Sequence, residues 1–205
     1  MDASPSYYAQ ATAALAQQAV FRLDVTTSGT GWNLVMQSGV LVACTTGIPL
    51  MTLLRNELAL PEEALAKIDV LLLDGKPVDR PQTTPVPPGA RIALAAGLPG
   101  IAGLAMKSDS AVKGLRPGIT HQNDSGDCAP APGCVELALF SLALPLLAPH
   151  VLARGVLLRA DRLANYLRPA LQGDGLLDGA PLSVMEAKER LTAAPQASVL
   201  LTVNP

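Results

Sequence analysis

The 205-residue chain carries 15 basic and 17 acidic side chains for a formal charge of −2, with no basic cluster. That balance argues against nucleic-acid binding, which needs several phosphates neutralised by Lys and Arg. Hydrophobic residues make up 49% and charged residues 16%, a globular composition, but aromatics reach only 3%, so the core must be built from Leu, Val, Ile and Ala.

In chain order, residues 1–18 read as an N-terminal tail without the charged and apolar regions of a signal peptide. Phe21-Arg22-Leu23-Asp24-Val25-Thr26 alternates apolar and polar residues, as a half-buried strand does. Trp32 to Gln37 fits either a strand or a helical turn. Val40 to Ala43 is a short strand run after Gly39, and Thr46 is the expected cap of a helix that Pro49 helps to start. Leu50, Leu53, Leu54 and Leu58 follow at helical spacing on one face. The apolar run Ile68 to Leu73 ends in Asp74-Gly75, a strong hairpin signal because Gly takes the positive φ of a tight turn. Pro85, Pro87, Pro88 and Gly89 make a loop before a last strand, Arg91 to Ala95.

The second half repeats the first. Gly39-Val40-Leu41-Val42 is answered by Gly155-Val156-Leu157-Leu158, and Pro49 to Arg55 by Arg162 to Arg168. Leu72-Leu73-Asp74-Gly75-Lys76-Pro77-Val78 is answered by Leu176-Leu177-Asp178-Gly179-Ala180-Pro181-Leu182, and Ala90 to Leu94 by Ala197 to Leu201. The blocks keep their order, which is the mark of a duplication. Val135 to Phe140 takes the place of the first strand, and Asp161 is the expected cap of the second helix, with Leu163, Tyr166 and Leu167 on its buried stripe. The expected class is α+β: two tandem units over residues 19–98 and 135–205, each a small mixed sheet with one crossing helix.

Residues 99–134 join them. Up to Gln122 the segment spaces Ile101, Leu104, Met106, Val112, Leu115 and Ile119 among small residues and Lys107, Lys113, Arg116 and His121. An arm packing on a partner has this character, as does an ordinary surface loop. Asn123 to Gly133 has the Pro/Gly-rich composition of a linker. The apolar run Leu137 to Ala153 is short of the roughly 20 residues that span a bilayer and contains Pro145, Pro149 and His150, so no membrane association is expected.

The strand, strand, helix, strand, strand order resembles the β-grasp fold. Leu72 to Val78, followed by Val86-Pro87-Pro88-Gly89-Ala90-Arg91-Ile92-Ala93-Leu94, is similar to the hairpin and final strand of the ubiquitin-like sulfur carriers of thiamine and molybdopterin synthesis. The resemblance implies carrier chemistry through a terminal Gly-Gly, but this sequence ends Val203-Asn204-Pro205. It equally implies no iron–sulfur cluster, since β-grasp ferredoxins use four cysteines and only Cys44 stands near the helix start.

No catalytic, cofactor-binding or metal-binding residue is assigned, and no cofactor is expected. Cys44 before a helix suggests a thiolate of lowered pKa; a buried apolar thiol is the plainer reading. Cys128, Cys134 and His121 are soft ligands, but the Ala-Pro-Ala-Pro-Gly spacer exceeds the roughly two to four residues of structural zinc pairs. In an oxidising compartment Cys128 and Cys134 would close a short loop; without an export signal, reduced thiols in the cytoplasm are expected. His150 stands apart from any Ser, Cys or carboxylate set, Ser28-Gly29-Thr30-Gly31 lacks the Lys of a P-loop, and Asp74, Gly75, Asp178 and Gly179 serve as turn residues. The expectation is a non-enzymatic binding or assembly module with a protein partner or a second copy of itself; the alternative is a sulfur-carrier-like protein of a cofactor pathway.

Overall fold

A computed structural model describes residues 21–26, 30–98, 129–167 and 174–204. The chain is an α+β protein with a mixed sheet. Strand β1 (Phe21–Thr26) is followed by a 3₁₀ turn (Thr30–Trp32), helix α1 (Asn33–Gln37) and β2 (Val40–Thr46). Helix α2 (Leu50–Thr52) runs directly into a π-helical segment (Leu53–Glu57), and α3 (Glu62–Leu65), β3 (Val70–Leu73), β4 (Lys76–Pro77) and β5 (Arg91–Ala96) complete the first half. The second half contains β6 (Ala131–Ser141), α4 (Ala143–Arg154), β7 (Val156–Arg159), α5 (Ala160–Tyr166), β8 (Asp174–Leu177), β9 (Ala180–Leu182), α6 (Val184–Ala193) and β10 (Ser198–Asn204).

The described strands form one sheet in the order β4-β3-β5-β6-β2-β7-β10-β1-β8-β9. Strands from the two halves interleave. β6 lies between β5 and β2 of the first half, and β1 lies between β10 and β8 of the second. The contacts β5/β6 and β1/β10 are parallel and all other neighbours are antiparallel. Read outward from the centre, both halves of the sheet therefore show one pattern: antiparallel, parallel, antiparallel, then a closing hairpin. The halves meet at the register pair Leu41 and Leu157.

Both closing hairpins are built on Asp-Gly. Asp74 and Gly75 have φ of +50° and +77°, and Asp178 and Gly179 have +51° and +81°, the two consecutive positive values of a twist-matched two-residue turn. Each Asp also ties the turn to a neighbouring strand. Asp74 accepts the Arg91 N–H on Oδ1 at 2.8 Å and donates its own N–H to the Arg91 carbonyl at 2.8 Å. Asp178 does the same with Arg22, at 2.9 and 2.8 Å. The outer strands β4 and β9 place Pro77 opposite Leu72 and Pro181 opposite Leu176.

The helices pack on one side of the sheet. Leu50, Leu53, Leu54 and Leu58 are buried there, as the helical spacing requires. They join Val40, Val42, Val135, Leu137, Leu139, Val199 and Leu201 from the strands. Helix α4 turns Leu144, Leu147, Ala148, Val151 and Leu152 inward and leaves Pro145, Pro149 and His150 exposed.

Several local expectations change. Of the two readings open for Trp32 to Gln37 the helical one holds: Trp32 closes the 3₁₀ turn and Asn33–Gln37 is α1. Thr46 does not cap α2; it ends β2, and its hydroxyl donates to the Ala131 carbonyl at 3.1 Å, while Pro49 precedes the helix without a side-chain bond. Asp161 lies inside the first turn of α5 after Arg159, accepting the Arg159 guanidinium and the Arg162 N–H. Strand β6 begins at Ala131, so Ala131 to Cys134 belong to the sheet despite their linker composition. Helices α4 and α6 add to the one crossing helix expected per unit. The arm from Pro99 to Gln122 lies outside the described residues.

Candidate functional site

Two places on the molecule gather chemistry. The first lies where β2, the π-helical segment and the end of α4 meet. A π-helix shifts each hydrogen bond one residue further along than an α-helix does. Here Leu58 donates to the Leu53 carbonyl at 2.9 Å, and the following residue, Ala59, takes a left-handed φ of +48°. The widened turn brings Glu57 over β2, where its carboxylate accepts the Thr45 N–H at 2.9 Å. Arg154, the last residue of α4, reaches back across the gap. Its guanidinium donates to the Glu57 carbonyl and, at 3.4 Å, to the Ala43 carbonyl. Between these elements opens a cleft of about 310 Å³ lined by Leu58, Ala59, Pro149, His150, Ala153 and Arg154.

Cys44 is close by, within β2 and facing the helix-side core. Burial pushes its thiol up to about 12, and the neighbouring Cys134 and Glu57 add to the effect while Arg154 opposes it. Such a group stays a thiol at neutral pH, which removes the nucleophile that a helix start would have created. Cys134 sits on the adjoining strand opposite Ala43 and belongs to the other face of the sheet. The two thiols are therefore on opposite faces and are not joined in a disulfide. Cys128, His121 and residues 27–29 lie outside the described residues; Thr30 and Gly31 fall in the 3₁₀ turn. His150 borders the cleft. Among the described residues no group of three or more His, Cys, Asp or Glu is placed to hold a metal ion.

The second place is the side of the sheet away from the helices. A single register row crosses six strands: Arg91, Glu136, Leu41, Leu157, Leu200 and Arg22. At its centre Leu41, Leu157 and Cys134 are buried, with Ala43 and Leu200 partly exposed at the border, and the cluster contains strand residues only. Glu136 is 8% exposed and pairs with Arg91 at 3.8 Å, so the row carries an ion pair beside its three leucines. Spacing along the sequence could have shown each strand's two faces; it could not have shown which strands align to form the row.

Among the described residues no helix is long and apolar enough to cross a membrane. Comparison with protein-family models, curated proteins and solved structures finds no match for this chain.

Proposed function

We propose that this chain is a non-enzymatic binding or assembly module made from two diverged copies of a β-grasp-like unit. The observation that carries the reading is the partly exposed apolar pair Ala43 and Leu200, backed by the buried strand residues Leu41, Leu157 and Cys134 on the side of the sheet opposite the helices. Ala43 and Leu200 are the members of this cluster that reach the surface, and the exposed Arg22 and Arg91 stand at the two ends of the same register row, so a small apolar surface with charged residues beyond it is what a partner would meet. The duplication is supported by the two Asp-Gly turns, which share φ values and the same backbone clamp. The β-grasp likeness is supported by the order β2-β6-β5-β3-β4, with a parallel pair in the middle and a hairpin at the edge. On the same reading the protein is cytoplasmic and its partner is a protein, in the first instance a second copy of the chain. Pro77 and Pro181 on the outer strands direct association to the faces, because proline offers no N–H to an added strand.

Size-exclusion chromatography with light scattering tests this over a range of concentrations. The expected result is a concentration-dependent dimer that Ala43→Lys and Leu200→Glu each weaken while circular dichroism stays unchanged. A wild-type chain that remains monomeric throughout overturns the self-association reading.

A further inference from the structure

The cleft beside the π-helical segment is separate from the apolar patch. Arg154 is held in place by the Glu57 and Ala43 carbonyls, which use two of the five N–H donors of a guanidinium. It makes no ion pair with a carboxylate of the described residues. A guanidinium fixed by carbonyl acceptors, with the Glu57 carboxylate engaged by the Thr45 N–H instead, keeps its remaining donors for a planar anion. His150 lies one helical turn earlier on the same wall, and Leu58, Ala59, Pro149 and Ala153 supply an apolar lining. The volume falls at the lower end of the range of about 300–1,000 Å³ for small-molecule sites.

We propose that this cleft binds a small organic carboxylate with an aliphatic body, its carboxylate on Arg154 and His150 and its chain against Leu58, Ala59, Pro149 and Ala153. One fixed full positive charge suits a monoanion better than a dianionic phosphate.

The test is an amide chemical-shift titration of the full chain with octanoate, and in parallel with octanol, which keeps the alkyl body and lacks the charge. Octanoate is expected to shift the amides of residues 58, 59, 150, 153 and 154 in a saturable way. Octanol should bind at least about tenfold more weakly, the worth of one good charge-assisted contact. Ala153→Phe fills the cleft from an exposed helix position and should weaken octanoate by about tenfold or more while leaving the fold intact by circular dichroism. Arg154→Lys should retain part of the affinity and Arg154→Gln should lose it. Absence of saturable shifts, equal binding of octanol, or unchanged octanoate affinity in a folded Ala153→Phe protein would each overturn the proposal.

Discussion

Gly39 is the residue whose substitution is best defined by the structure. It ends α1 at a φ of +84°, and a Cβ there would stand 2.1 Å from Oε1 of Glu136, 3.0 Å from its Cδ and 3.1 Å from its Cγ. Glu136 has little room to withdraw, being buried on β6 and paired with Arg91. Gly39→Ala therefore incurs two costs. The left-handed backbone costs an L-residue about 1–2 kcal/mol. Displacing a buried carboxylate from its partner adds about 1–3 kcal/mol. A total of about 2–5 kcal/mol is expected, against about 1–2 kcal/mol for Gly75→Ala, where φ is +77° but nothing lies within 4 Å of the new Cβ. Urea unfolding followed by circular dichroism measures both. The contact can be isolated by repeating Gly39→Ala in a Glu136→Ala background, where its cost should fall to the Gly75→Ala value. Equal costs for Gly39→Ala and Gly75→Ala in the wild-type background would refute the reasoning.

The paired turns give a second expectation. Asp74→Ala and Asp178→Ala should each cost about 1–2 kcal/mol, through the loss of a solvent-exposed hydrogen bond to the strand N–H and through the left-handed backbone, whereas the Asn variants should stay close to wild type. A silent Asp178→Ala beside a costly Asp74→Ala would break the equivalence of the two hairpins. Cys44 supplies a pH dependence. Its thiol is raised in the folded state from an ordinary 9.0 to about 12, so the protonated form is favoured by folding. The associated stability is complete below pH 9 and is lost as pH rises from there toward 12. Alkylation with mass mapping should leave Cys44 unmodified in the folded protein at neutral pH and label it fully in denaturant; stoichiometric labelling of the folded chain would contradict the burial.

What was legible in the sequence was what is decided locally. Asp-Gly fixes a two-residue turn through its own φ preferences, and both hairpins form where the pair occurs. The stripe Leu50, Leu53, Leu54 and Leu58 identifies its buried face because spacing alone sets it, although the same spacing conceals that Leu53–Glu57 is wound as a π-helix. Helix α6 also has a local signature, since Ser183 and Glu186 form a full capping box, the Ser hydroxyl accepting the Glu186 N–H and the Glu carboxylate accepting the Ser183 N–H. Helix α4 was obscured by Pro145 and Pro149, which break helices in general but here lie on its outer side. The cleft combines residues from Leu58 to Arg154 and depends on how α4 meets the π-helical segment. No periodicity records that meeting. The interleaving of β6 and β1 is likewise a matter of long-range pairing, since both strands carry the alternation that any neighbour would accept.

The interleaved order also fixes a schedule for synthesis. Strand β1 is made first, but its clamp to Asp178 spans 156 residues, and its other partner is β10. On the ribosome, at about 5–20 residues per second, it must wait roughly 8–30 s for those partners. Strand β2 waits for β6 in the same way. The half of the sheet containing β2 to β6 can close earlier, leaving β1 to dock last. Nascent chains arrested just before Ser198 should accordingly protect β2 and β5 from exchange while β1 remains unprotected, and completion of β10 is the event that seals the molecule.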